Sequence, residues 1–335
     1  MITLLCGGVG GAKLADGLAR VLPDPASLTV IVNTADDWHL WGLHISPDVD
    51  TVLYTLAGLA SRERGWGLEG ETWAALEMMR GYGFPAWFRI GDRDLATHVA
   101  RTAWLREGRR LTEATGALAR ALGVRATVLP MCDEPVATVV RTPAGRLPFQ
   151  EYFVARGARD PVQGIEFEGI ARARLTPEVR QAIRTASLVV VAPSNPVVSI
   201  GPILEVPGMR QALAEAPAPA VAVTPLIGGQ AVKGPTVEML RGLGLPADPE
   251  TVAALYRDFL DVFIFDIRDA PPGERPSGEQ LRTGGASGRP VAAEYADTLM
   301  AGEAARRRLA REVLRIASSH GATLPLTFLA PPSPP

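Results

Sequence analysis

Lysine is almost absent from this 335-residue chain: of its 34 basic residues only Lys13 and Lys233 are not arginine. Arginine serves wherever positive charge merely solubilises a surface, so a retained compact ammonium points to a task such as meeting a phosphate. Both lysines stand beside glycine. For Lys233, which precedes Gly234, such a task and chance survival under the compositional bias stay equally open. Cysteine is as scarce. Cys6 and Cys132 are too few and too far apart for a disulfide framework or a zinc cluster, and both fall in apolar strand contexts that suit a buried thiol. The histidines show no metal-ligand spacing such as H-E-x-x-H, so no zinc site is expected. A formal net charge of −2 leaves no basic footprint for a nucleic acid. No apolar run approaches the roughly 20 residues that cross a bilayer, and no basic leader precedes the first strand. The expectation is a cytoplasmic protein with neither a nucleic acid nor a membrane as partner.

What the chain does have is hydrophobic mass, 47% of its residues, enough to bury one large core. Residues 2–6 and 28–34 are continuous runs rich in Val, Ile and Leu, the pattern of strands covered on both faces. A helix from about Ala12 to Val21 links them. From Asp48 to Leu122 the texture turns helical: Asp50 to Leu59, Glu71 to Arg80, Asp92 to Arg106 and Thr112 to Leu122 carry apolar residues at helical spacing. Strand character returns at RATVLPM, and VATVVRTPAGRLPFQEYFV reads as a hairpin around Pro143, Ala144 and Gly145. Strands near Leu188 to Ala192, Val221 to Thr224 and Val262 to Asp266 then alternate with helices. The stretch from Ala270 to Arg289, rich in Pro, Gly and Arg, predicts a mobile loop. A last amphipathic helix, Ala296 to Ser318, carries Leu299, Leu309, Val313 and Ile316 before a Pro-rich tail. The expected fold is α/β: a doubly wound, Rossmann-like, mostly parallel sheet built from residues 1–47 and 123–335, with a helical lobe inserted at 48–122.

Three apolar runs end in small, turn-forming residues that a parallel sheet would bring to one edge. The first, ITLLCGGVGGAKL, places Gly7, Gly8, Gly10 and Gly11 between a strand and Lys13. Unshielded N–H groups and a helix dipole favour an anion there. The others end at Ser194 and Asn195, and at Gly228 and Gly229. The loop is no Walker motif, because Ala12 and Leu14 stand where glycine and a hydroxyl are needed, and Lys13 occupies the third glycine of a dinucleotide fingerprint. An NAD-linked dehydrogenase is thereby disfavoured, as is a nucleoside triphosphatase. Carboxylates gather where the second strand ends, at Asp36, Asp37, Asp48 and Asp50. Hard oxygen ligands suit Mg2+, and phosphate chemistry beside the glycine loop calls for a counter-charge, so Asp36 and Asp50 are assigned to that metal. Asp48 is assigned to capping the helix that follows. In the lobe, WFRIGDRDLATH reads as a local ion-pair and capping network, with Arg89 outside it and free to touch a ligand.

The segments GGVGGAKL, NTADD, ISPDVDTVLYTL, RGWG, FRIGDRDLATH, LPMCDEPV, PFQEYFV, APSNPVVSIGPIL and TPLIGG follow one collinear order from Met1 to about Met300. Together they resemble the 2-phospho-L-lactate transferase family of coenzyme F-420 biosynthesis. The resemblance implies transfer of a phosphorylated three-carbon acid from a guanylylated diphosphate donor to the ribityl hydroxyl of 7,8-didemethyl-8-hydroxy-5-deazariboflavin (Fo), with GMP released and magnesium present. It implies that Asp50 and Arg89 bind Fo. Gly8, Gly10, Gly11, Lys13, Ser194, Asn195, Gly228 and Gly229 would hold the guanosine diphosphate part, Asp36 and Asp50 the metal, and the protein would be a homodimer. Asp50 is the candidate proton acceptor. The loop GGVGGAK is closer to bacterial members than the threonine-bearing archaeal form, which leaves 2-phospholactate and phosphoenolpyruvate both open as donor acid. The competing class is a regulator of the same fold that binds nucleotide sugars. The acceptor-side match at Ile45 to Leu56 and Arg89 to His98 favours the transferase.

Overall fold

The computed structural model describes residues 1–270, 279–281 and 290–324. β1 (Ile2–Cys6) passes through Gly7 into α1 (Gly8–Val21), and the chain returns as β2 (Leu28–Val32). A hairpin of β3 (Trp38–Leu40) and β4 (Leu43–Ile45) turns on Trp41 and Gly42, both at positive φ. Next come α2 (Pro47–Leu56), α3 (Ala74–Gly81), α4 (Asp92–Arg106) and α5 (Leu111–Ala121). β5 (Thr127–Pro130) rejoins the sheet, while β6 (Ala137–Thr142), β7 (Gly145–Pro148) and β8 (Gly164–Glu168) form a small antiparallel sheet of their own.

The second half runs through α6 (Pro177–Arg184), β9 (Leu188–Val191), α7 (Ile200–Glu205), α8 (Met209–Ala214) and β10 (Ala220–Val223). A hairpin of β11 (Leu226–Ile227) and β12 (Gln230–Ala231) leads to α9 (Thr236–Gly242), α10 (Pro249–Ala254) and β13 (Val262–Asp266). β14 (Glu279–Leu281), β15 (Val291–Ala296) and α11 (Gly302–Ser319) complete the described fold.

The central sheet has the order β14-β15-β13-β10-β9-β1-β2-β5, and only β14 pairs antiparallel. Its middle strands are buried on both faces, as their unbroken apolar runs require. Because side chains alternate along a strand, Leu4 and Cys6 join one core layer with α1, α2, α5 and α11, while Leu5 joins the other with α6 to α10. The chain winds outward from β1 through β2 to β5, then restarts on the other side of β1 at β9. The switch point therefore lies between β1 and β9, where α/β sheets open a crevice at the carboxyl ends of their strands. The sheet is the doubly wound one expected. Val49, Val52 and Leu53 of α2 and Leu118 of α5 pack into the layer that holds α1, so the segment 48–122 shares core with the sheet.

Three local expectations change. The last helix starts at Gly302, not Ala296: residues 291–296 pair in parallel with β13, and Leu299 lies outside the helix and is 37% exposed. Ala296 closes β15 instead, and Thr298 donates through its backbone N–H and its hydroxyl to Asp266 at the end of β13, which holds that connection out of the helix. The helix after β1 begins at Gly8 rather than near Ala12, so the glycines form its first turn. The hairpin turns at Pro143 and Ala144 as read, yet its second strand stops at Pro148 and the chain coils into a π-helix, Glu151–Ala155. The expected loop from Ala270 to Arg289 includes β14, and otherwise lies, like the Pro-rich tail, outside the described residues apart from Ala270 itself. No helix among the described residues is long and apolar enough to cross a membrane.

Candidate active site

A cavity of about 620 Å³ opens at the switch point. Gly7, Gly8, Gly10 and Lys13 line it from β1 and α1, Ser194 and Asn195 from the end of β9, and Asp50, Arg89, Asp94 and His98 from the helical segment. The glycines matter first for packing. A Cβ at Gly10 would stand 2.6 Å from the Pro193 carbonyl, and one at Gly11 2.5 Å from Cys6 Cβ and 2.7 Å from Ser194 Oγ. Ser194 latches the two loops together, accepting from Gly7 N at 3.1 Å and donating to Gly7 O at 2.7 Å. Asn195 Oδ1 accepts from Val197 N and Val198 N, which fixes the turn behind it.

Lys13 and Lys233 converge on this wall. Both line the cavity, Lys13 partly buried and Lys233 exposed, and desolvation pushes both below the ordinary lysine value, with the neighbouring Arg306 and then Lys233 adding repulsion at Lys13. Among the described residues neither forms an ion pair. Two unpaired ammonium groups against one cavity favour a polyanion such as a diphosphate. Gly228 and Gly229, at φ 59° and 69°, make the tight turn between β11 and β12. They, like Gly11, lie outside the cavity lining, whereas Ile227, Val232 and Lys233 beside that turn are part of it.

The carboxylates divide into two groups. Asp36 and Asp48 are buried by the glycine turn. Burial, reinforced by Asp48, pushes Asp36 well above the usual carboxylate range, and its Oδ1 has no hydrogen-bond partner among the described residues. Asp48 does not cap α2, whose N-cap is Ser46. Its carboxylate instead accepts from Asn33 Nδ2 at 3.0 Å and from the Gly8 N–H, and burial pushes it up to about 6. An acidic side chain thus already sits at the start of α1, where the dipole favours it.

The second group lies on the lobe side. Asp50, at the start of α2, is paired through both oxygens with Arg101, which is fully buried. His98 Nδ1 lies 3.3 Å from Arg101 Nη1 and 3.6 Å from Asp50 Oδ2, and its Nε2 lies 3.3 Å from Asp94 Oδ1. Tyr54 donates to Asp94 Oδ1 at 2.7 Å. Burial pushes Asp94 up, but His98, Tyr54 and Arg101 together hold it below the usual range. Asp50, Asp94 and His98 bring three ligand atoms within 4.8 Å of one another and could hold a metal ion. Arg101 was missed from the sequence, since nothing in its surroundings distinguishes it from the chain's other arginines. So was the aromatic lining: Trp66, Trp87, Phe88, Phe149 and Phe153 reach the cavity from three separate stretches of sequence.

A doubly wound α/β sheet with a deep switch-point cavity, unpaired cations on one wall and a carboxylate network on the other, defines an enzyme of group transfer to or from phosphorylated small molecules. The chain belongs to the 2-phospho-L-lactate transferase (CofD) family, whose model matches residues 2–294. It is 41% identical to the 2-phospho-L-lactate transferase of Methanosarcina mazei over 79% of this chain and 87% of that one. It is 43% identical to the phosphoenolpyruvate transferase of Kitasatospora aureofaciens over 80% and 85%. A crystal structure of a UPF0052-family protein from Bacillus halodurans superposes with a TM-score of 0.58 at 16% identity, covering 93% of this chain and 98% of the other, and shares the fold. The protein is accordingly a transferase of the 2-phospho-L-lactate or phosphoenolpyruvate type in coenzyme F-420 biosynthesis.

Proposed function

We propose that this transferase moves the phosphorylated three-carbon acid from a guanylylated diphosphate donor to the ribityl hydroxyl of Fo and releases GMP. The observation that carries the reading is the placement of both half-sites on one cavity: Gly8, Gly10, Lys13, Ser194 and Asn195 on the sheet wall, Asp50 and Arg89 on the wall formed by residues 48–122. Lys13 and Lys233 face the donor diphosphate, Gly11 allows the close packing of that wall, and Gly228 and Gly229 shape the hairpin that carries Lys233. Attack by the hydroxyl oxygen on the phosphorus next to the acid forms one P–O bond and breaks the P–O bond to GMP. Charge builds on the phosphoryl oxygens and the departing GMP, so positioning and electrostatics supply most of the catalysis. The hydroxyl proton passes late to Asp50, which Arg101 holds in place; a weak base suffices when the transition state is loose.

Mg2+ suits the oxygen donors of this site. Asp36, with its unpartnered Oδ1, would hold it, and the ion would neutralise developing phosphate charge. Asp50 is the other carboxylate assigned to it from the sequence; it stands in the second group, with Asp94 and His98 and with both oxygens on Arg101, so it would join the ion only by giving up part of that pairing. The experiment incubates the protein with Fo, Mg2+ and each guanylylated acid in turn and weighs the product. GMP release with a new Fo ester is expected, and the two-hydrogen mass difference separates phospholactyl from enolpyruvyl transfer. Absence of GMP and ester with every donor overturns the reading.

A further inference from the structure

Arg89 is exposed, lines the cavity and has no carboxylate at ion-pair distance among the described residues. What it does touch is an aromatic face: its guanidinium carbon lies over the Trp73 ring, 4.2 Å from the centroid. A guanidinium laid on an indole keeps its N–H donors, which lie in its own plane, available to a ligand, while the ring restricts its rotamers. Trp73 itself is not part of the cavity wall. Arg64 lies 5.5 Å over the same indole and 5.6 Å over Trp66, and the two indoles meet edge to face at 6.4 Å.

Two reciprocal caps fix the ring's backbone. Asp92 accepts from Ala74 N and Ala75 N, immediately after Trp73, and from Thr72 Oγ1. In return Glu71 accepts from Arg93 N and Asp94 N at the start of α4. The segment bearing Trp73 and the segment bearing Arg89 are thereby tied to each other across the starts of α3 and α4. Gly91 allows this, because a Cβ there would collide with the Glu71 side chain.

We propose that Trp73 is a positioning residue for Arg89: its indole holds the guanidinium at the cavity with its donors free and so sets the affinity for the acceptor rather than the rate of transfer. This rests on the reading that Arg89 contacts Fo. The test measures Fo affinity by deazaflavin fluorescence, GDP affinity and steady-state KM and kcat for Trp73→Leu, Trp73→Phe, Arg89→Ala and the Trp73→Leu, Arg89→Ala double variant. Trp73→Leu is expected to weaken Fo binding and raise its KM about three- to tenfold, the scale of one lost cation–π contact plus freed rotamers. Trp73→Phe should restore most of the loss, since a phenyl face remains. GDP affinity and kcat should hold, and the double variant should bind Fo no more weakly than Arg89→Ala alone. Unchanged Fo affinity in Trp73→Leu, losses that add in the double variant, or an equal loss of GDP binding overturns the proposal. If the wild-type protein does not bind Fo, or Arg89→Ala binds it normally, the functional reading fails and the proposal with it. If Arg89→Ala is weakened and Trp73→Leu is not, only the role of Trp73 falls.

Discussion

On the sheet side of the cavity Lys13 and Lys233 have no carboxylate at ion-pair distance among the described residues, whereas on the lobe side Asp50 and Arg101 are paired with each other inside a buried network. Cations held against a cavity wall lose hydration that an arriving anion repays. A paired, fully buried network has no such need, and its strength is geometry. The contrast divides the labour of the proposed reaction: the sheet wall attracts the charged donor, and the lobe wall orients an uncharged hydroxyl. Substitutions on the two walls should therefore fail in different observables.

The largest effect is expected on the lobe wall. Asp50→Asn should lower kcat by about 10²- to 10⁴-fold, the range for losing a positioned proton acceptor, while GDP binds as before. Full turnover in this variant would remove Asp50 from the chemistry and leave the division of labour without its second half. Arg101→Met probes the same wall through stability. Removing one member of a buried ion pair strands the other, at a cost of about 3–5 kcal/mol in urea denaturation. The double variant Asp50→Asn, Arg101→Met should recover much of that loss, because no charge is then left unpaired; additive losses would contradict the pairing.

The sheet wall should respond through donor affinity. Lys13→Met is expected to weaken GDP or donor binding about 10- to 100-fold, the value of a charge-assisted contact to phosphate, with Fo affinity unchanged. Lys233→Met should act in the same direction. Titration sharpens the point: desolvation lowers both lysines from the ordinary value of 10.5, so their charge is lost at a lower pH than for a fully hydrated lysine. Donor affinity should consequently fall as pH rises through the alkaline range, and Fo affinity should not follow it. A common pH profile for both ligands would argue against separate walls.

How far these walls were legible in the sequence depends on what each is made of. The sheet wall could be read because its signals are local: apolar runs that end in glycine, serine or asparagine declare strand ends, and Lys13 and Ser194 line the cavity those ends enclose. Even so, Gly10 and Gly11 were read for the anion they would admit, and their immediate reason is the backbone of Pro193 and the side chains of Cys6 and Ser194. Those neighbours lie far along the chain or on the preceding strand, and spacing does not reveal them. On the lobe wall Asp50 and Arg89 were visible as chemistry-bearing residues and His98 only as part of a local ion-pair and capping network, but Arg101 was not visible, since one buried arginine among many exposed ones leaves no local mark. The aromatic lining was hidden for the same reason. Phe153 was placed on a strand, and only the π-helix after Pro148 carries it to the cavity.

The smallest effect tests a place where the sheet wall departs from its own pattern, the carboxylate of Asp48 at the start of α1. Burial pushes this group up to about 6 from its ordinary 3.8. The folded protein therefore holds the proton more tightly than the unfolded chain, and the ionised form destabilises the fold. That cost is absent below about 4, grows as pH rises between the two values and is complete above about 6. Asp48→Asn never ionises but keeps one acceptor oxygen for two donors, Asn33 Nδ2 and the Gly8 N–H, so its net gain at pH 7.5 should be on the order of 1 kcal/mol. Thermal melts should show that gain shrinking as pH falls toward 4, whereas a constant difference would mean that a lost or gained hydrogen bond, not charge, is responsible. Because the same substitution removes a negative charge from the wall that meets the diphosphate, it should also tighten GDP binding severalfold at pH 7.5. Weaker binding would show that Asp48 serves the donor, as a ligand to its counter-ion, and that the sheet wall too depends on paired charge.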